Sequence, residues 1–133
     1  MDSTFGALGI LVLRLGAGGL LLFGHGLPKL LHFGARAGNF PDPLHVGSTA
    51  SLALVVFAEV FCAPLVMLGL LTRLAVVPIL IFLLVALLVQ HAHDPWGDQE
   101  FVLLYLLPFL VLLCTGPGRF GLDSRLGIRW WRR

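Results

Sequence analysis

The chain has 133 residues, of which 58% are apolar and only 12% charged, and its formal net charge is +2. A soluble domain carries about 25% charged and about 45–50% apolar residues, so a chain this apolar cannot cover a water-facing surface and its expected solvent is the lipid bilayer. The length admits one domain, and four membrane helices of roughly 20 residues each would occupy most of it. The basic residues form no long run with readout chemistry, which excludes nucleic acid as a partner.

The opening residues Met1-Asp2-Ser3-Thr4 lack the basic start of a secretory signal, and no small-residue cleavage site ends a short apolar run. The first apolar segment is therefore expected to persist as a helix over residues 5–33, interrupted by Arg14, His25, Pro28 and Lys29. Its centre, Gly16-Ala17-Gly18-Gly19, would be weak in water, but small residues let neighbouring membrane helices approach closely. Residues 34–47, with Asn39 and Pro41-Asp42-Pro43, carry the breakers of a loop.

A second helix is expected over residues 48–70, with Glu59 inside and Pro64 kinking it. A short turn at Gly69 to Arg73 leads to a third helix over 74–91. The polar loop Ala92 to Asp98 leads to a fourth over 99–115, with Pro108 inside, and Gly116-Pro117-Gly118 ends it. The tail 119–133 is expected to lie at the interface, with Trp130-Trp131 at headgroup depth. The expectation is an all-α membrane four-helix bundle. Its termini share a side with Arg73, Arg119, Arg125, Arg129, Arg132 and Arg133, and Lys29, Arg36, Asp42, Asp94 and Asp98 lie opposite. The positive-inside rule makes the termini cytoplasmic.

Ionisable residues inside membrane helices are expensive, and each is a functional candidate. Arg14 lies about 13 Å up the first helix, and Glu59 about 16 Å up the second from the same side. Opposite charges at matching depth are expected to pair, either as a structural bridge or with Glu59 as a proton acceptor controlled by Arg14. A second group lies at the outer end: His25, Lys29, His91 and Glu100, with Tyr105 one to two turns deeper. Arg14, His25 and Lys29 fall within about 60° of one another around the first helix, a polar stripe that should face the bundle interior. Imidazoles pass protons near neutral pH, Lys29 can hold a carbonyl or an oxyanion, and a carboxylate can accept the proton of a quinol hydroxyl. Phe23, Trp96 and Phe101 offer an apolar surround. The alternative is ordinary snorkelling of Lys29 and the histidines to the interface.

No metal is expected: His91 and His93 do not share a helix face, and no His-Glu-x-x-His occurs. There is no dinucleotide fingerprint, phosphate loop or nucleophile elbow. Cys62 and Cys114 form no Cys-x-x-Cys and read as inert thiols.

Arg14-Leu15-Gly16, Phe23 to Leu30 around His25 and Lys29, Glu59, Leu68 to Ala75, His91, Glu100 to Leu106, and Gly116 to Asp123 follow in an order and spacing that resemble the DoxX family of small bacterial membrane proteins. The resemblance spans Arg14 to Asp123 and implies a four-helix bundle of a bacterial inner membrane with a redox role near quinones. Relatives include a subunit of a thiosulfate:quinone oxidoreductase and partners in membrane redox complexes. The recurring polar positions of the family fall here on Arg14, His25, Lys29, Glu59, Arg73, His91, Glu100 and Arg119. Related branches that handle disulfides carry paired cysteines, which this chain lacks, and that argues against thiol–disulfide exchange.

The leading expectation is a quinone-linked oxidoreductase component. Its catalytic candidates are Glu59, His25, His91 and Glu100, and its ligand-binding candidates are Arg14, Lys29, Tyr105 and Arg73. The chain shows no redox centre of its own, so electrons would come from a soluble redox enzyme or a second substrate. A proton-coupled transporter or ligand-binding protein, and a non-catalytic subunit docking a soluble enzyme, remain alternatives, and a homo-oligomer stays open.

Overall fold

The computed structural model describes residues 3–127. Four helices are long and apolar enough to cross a membrane: α1, Thr4–Leu31; α2, Ser48–Leu68; α3, Thr72–Gln90; and α4, Trp96–Thr115. At 1.5 Å per residue, even 19–21 residues reach about 30 Å, the thickness of the hydrocarbon core. Single turns of helix follow α1 at Phe33–Arg36 and α4 at Leu122–Leu126. Trp130, Trp131, Arg129, Arg132 and Arg133, placed above at the interface, lie outside the described residues.

The outer surface is that of a lipid-facing bundle. Phe5, Val12, Leu20, Leu54, Ile81 and Leu104 all point outward, and the buried core of Leu21, Val66, Ile79, Phe109 and Leu112 is no more apolar than they are. Association therefore rests on close packing rather than on the hydrophobic effect. Gly18 lies so close to α2 that a Cβ there would stand 3.1 Å from the Ala63 carbonyl, and a Cβ on Gly26 would stand 2.9 Å from that of Glu59. These two glycines let α1 and α2 touch along their backbones.

Three wide turns interrupt the spanning helices. Leu22–Gly26, Phe57–Cys62 and Ala86–Gln90 are π-helical, closed by bonds five residues apart from Leu27 to Leu22, Ala63 to Ala58 and His91 to Ala86. The first two stand just before Pro28 and Pro64. A proline has no N–H to give the carbonyl four residues back, and its ring crowds that carbonyl, which favours a wider turn ahead of it. Pro78 in α3 and Pro108 in α4 lie in continuous α-helix all the same. The third wide turn has no proline. In a straight α-helix Gly18 and Gly26 would diverge by about 80°, and absorbing one extra residue turns the helix back by about 100°. Both glycines thus end within about 20° of one another, facing α2.

The end of the bundle that holds the chain termini is closed by charged groups acting as helix caps. Gly69, in the left-handed region at φ 71°, ends α2, with Leu70 N–H bonded to the Leu65 carbonyl and Gly69 N–H to that of Val66, the paired bonds of a Schellman turn. The Arg14 guanidinium donates to the Met67 carbonyl at 2.7 Å, placing a cation at the helix's negative end. Asp123 does the converse for α3: its carboxylate accepts from the N–H groups of Leu71 at 2.7 Å and Thr72 at 3.1 Å. Its own N–H donates to the Gly69 carbonyl at 2.9 Å.

Candidate functional site

The expected Arg14–Glu59 pair does not form. Glu59, 1% exposed, accepts a hydrogen bond from the Lys29 ammonium at 2.7 Å. The reason is the register of α1 against α2. A Cβ on Gly26 would meet that of Glu59 at 2.8 Å, so Glu59 is level with Gly26, one turn from Lys29 and twelve residues, about 18 Å, from Arg14. Depth counted from Phe5 and Leu70 missed this because those two ends are not level: α2 ends beside Arg14, which bonds the Met67 carbonyl. Glu59 therefore belongs with the far-end group, and Arg14 caps α2 instead.

Around that ion pair lies a cavity of about 130 Å³. His25 and Lys29 line it from α1, Glu59 from α2, His91 from the end of α3, and Phe101 and Tyr105 from α4. The His25 Nε2 stands 3.1 Å from the Tyr105 hydroxyl, the tautomer deciding which donates. Their rings meet edge-on at 5.1 Å, with Phe101 5.8 Å from His25 and 5.4 Å from Tyr105. His91 is held from outside, its Nδ1 2.6 Å from the Asp94 carboxylate, while Gln99 fixes the turn by donating to the His91 carbonyl at 2.9 Å. With Nδ1 engaged by Asp94, the Nε2 of His91 is the nitrogen left for the cavity.

Each of the three wide turns contributes a cavity residue: His25 and Glu59 sit within theirs, and His91 closes the third. Wide turns of this kind recur at functional sites. They were not read from the sequence, and proline alone could not have marked them, because Pro28 and Pro64 follow wide turns whereas Pro78 and Pro108 lie in continuous α-helix. The roles of Asp94 and Asp123 were also missed. Asp123 depends on partners brought in by folding, whereas Asp94 meets a histidine three residues before it, a spacing the sequence already offered.

Not every site candidate meets at this cavity. His25, Lys29, Glu59, His91 and Tyr105 do; Glu100, Arg14 and Arg73 do not. Glu100 is exposed on the first turns of α4, where Val102 takes the buried face. Arg73 lies at the opposite end and donates to the Cys114 carbonyl at 3.0 Å. Arg119, also at that end, bonds the Thr4 hydroxyl at 3.0 Å and lies over the Phe120 ring.

Fold and site together define an integral membrane four-helix bundle with a buried ion pair and a histidine–tyrosine contact lining one cavity. The family model of DoxX matches residues 9–92. An uncharacterised membrane protein of Mycobacterium tuberculosis is 34% identical over 134 residues, covering 84% of this chain and 77% of the relative. The chain belongs to the DoxX family. No solved structure matches it.

Proposed function

We propose that this protein is a quinone-linked oxidoreductase component whose cavity receives the quinone ring. The observation that carries the reading is the cavity's donor set: a cation, a carboxylate, two imidazoles and a phenol converge on a space of about 130 Å³ walled by Phe101. A cavity of roughly 150 Å³ holds a benzene ring, so the space is of the scale of one six-membered ring. A quinone supplies two-electron, two-proton chemistry, and the chain supplies the partners for it. Lys29 and the Tyr105–His25 pair donate hydrogen bonds to a ring oxygen. Glu59 and His91 hold or pass its protons, and Phe101 covers a ring face. Electrons come from a soluble partner enzyme or a second substrate. Arg73, Arg119 and Arg125 all sit at the terminal end, which by the positive-inside rule faces the cytoplasm. The cavity then lies toward the opposite face of a bacterial inner membrane.

The terminal end favours binding over transport. Asp123 ties the segment after α4 to the α2–α3 turn, and Gly121 packs so tightly on Gly69 that a Cβ on Gly69 would stand 2.6 Å from the Gly121 Cα. Those contacts hold the segment after α4 against the α2–α3 turn at the end of the bundle beneath the cavity. The test is mass spectrometry of small molecules extracted from the protein purified in mild detergent. The expected result is a stoichiometric quinone that is lost in His25→Ala and Lys29→Met and kept in Glu100→Gln. Absence of quinone from folded wild-type protein, together with no binding of added quinone, refutes the reading.

A further inference from the structure

Beside the polar cavity runs a second, apolar one of about 230 Å³ between α1 and α4, lined by Ala17, Leu20, Phe101, Leu104, Tyr105 and Pro108. The four α4 residues stand at i, i+3, i+4 and i+7, a single helix face. Two of them, Phe101 and Tyr105, also line the polar cavity, so the two spaces share a wall of aromatic side chains. Leu20 and Leu104 form the rim and are 64% and 61% exposed, opening the groove to lipid. From Phe101 to Pro108 it descends about 10 Å, away from the far end and toward the middle of the bilayer.

We infer that this groove holds the hydrocarbon tail of the molecule whose ring occupies the polar cavity, so that the ligand is a tail-bearing amphiphile entering sideways from the membrane between α1 and α4. The inference rests on the pocket reading above and adds the ligand class and its route. A ring held by Lys29 and Glu59 sits near the far end, and a tail attached to it must run toward the bilayer centre. The groove begins at the aromatic wall and runs in that direction. α1 and α2 offer no such route, because they meet backbone to backbone at Gly18 and Gly26. The groove gives a tail little hydrophobic gain, since lipid chains are as apolar as leucine. What it gives is a fixed path, and the effect to look for is positional.

The experiment uses the full chain in liposomes and a benzoquinone carrying an alkyl tail with a diazirine close to the ring. After photolysis, labelled residues are mapped by peptide mass spectrometry, with and without excess unlabelled tail-bearing quinone. Binding of a tail-less quinone is measured in parallel. Saturable labelling on the Leu20 and Leu104 rim is expected. It should fall by about tenfold in Lys29→Met, the weight of one charge-assisted hydrogen bond. In Leu104→Trp, which fills the groove from its exposed rim, labelling should fall while tail-less binding is unchanged. Saturable labelling confined to α2 or α3, or none at all while the tail-less ring still binds, overturns the groove and leaves the ring pocket standing. Loss of both labelling and tail-less binding in folded wild-type protein removes both.

Discussion

Lys29 and Glu59 differ in what each leaves behind when the other is removed. Glu59 is 1% exposed, whereas the Lys29 side chain retains 16% exposure and ends a long flexible stem near the far end of α1. In Lys29→Met the carboxylate stays buried without its cation, a defect of about 3–5 kcal/mol. In Glu59→Gln the amide still accepts a hydrogen bond, and the ammonium can swing toward the interface, so the loss should be about 1–2 kcal/mol. The double variant Lys29→Met/Glu59→Gln removes both charges. Buried ion pairs replaced by neutral groups of similar volume are often close to neutral in stability, so the second substitution should restore most of what the first took away. Thermal unfolding in detergent, followed by fluorescence-detected size exclusion, should place Lys29→Met roughly 10 °C or more below wild type, with Glu59→Gln and the double variant between them. Equal losses in the two single variants, or a double variant no better than Lys29→Met, would refute the pairing and the burial argument behind it.

The remaining predictions probe the packing and the two ends of the bundle. Gly26→Ala places a Cβ 2.8 Å from that of Glu59 and should destabilise by about 1–3 kcal/mol through forced separation of α1 and α2. Gly24→Ala meets nothing within 4 Å and should be neutral or slightly stabilising in the same unfolding assay. Asp123→Ala strips two N–H groups of their acceptor at the start of α3 and should cost about 1–2 kcal/mol. Limited proteolysis should then cleave first in the segment after α4. In the loop before α2, the Ser51 hydroxyl, then the N–H groups of Gly47 and Val46, hold the Asp42 carboxyl below its ordinary value, against a smaller opposing effect of desolvation. A carboxyl lowered in the folded state stabilises above its unfolded value, near about 4, and that contribution fades as pH falls through the lowered one. Exchange protection of the Val46 and Gly47 amides, corrected for intrinsic rate, should therefore be constant above about pH 5 and decline below about pH 4. Ser51→Ala should move the decline upward in pH, and an unmoved profile would exclude the Ser51 contact as its main cause.

Four apolar runs of membrane-spanning length, separated by glycine, proline and aspartate, were legible as four helices because the bilayer sets the length of a span and tolerates few charges within it. The polar residues were legible for the same reason: in a chain so poor in charge, His25, Lys29, Glu59 and His91 stand out by their cost in lipid. Their partners were not. Sequence separation and helical rise give the depth of a Cα only from the end of its own helix, and the register of α1 against α2, which sets Gly26 level with Glu59, decides whether Arg14 or Lys29 reaches it. Helical phase, counted at 3.6 residues per turn, also drifts at each wide turn, and the turn at Ala86–Gln90 has no proline to announce it. Asp123 shows the same limit, since its place in the chain says nothing of the N–H groups of Leu71 and Thr72, 51–52 residues away, whose need for an acceptor it meets. The sequence by itself determined the solvent, the number of spans and which residues carry charge into the membrane. Only the tertiary structure decided which of those charges meet, because that depends on backbone distances between α1 and α2 that two glycines and the widened turn of α1 set together.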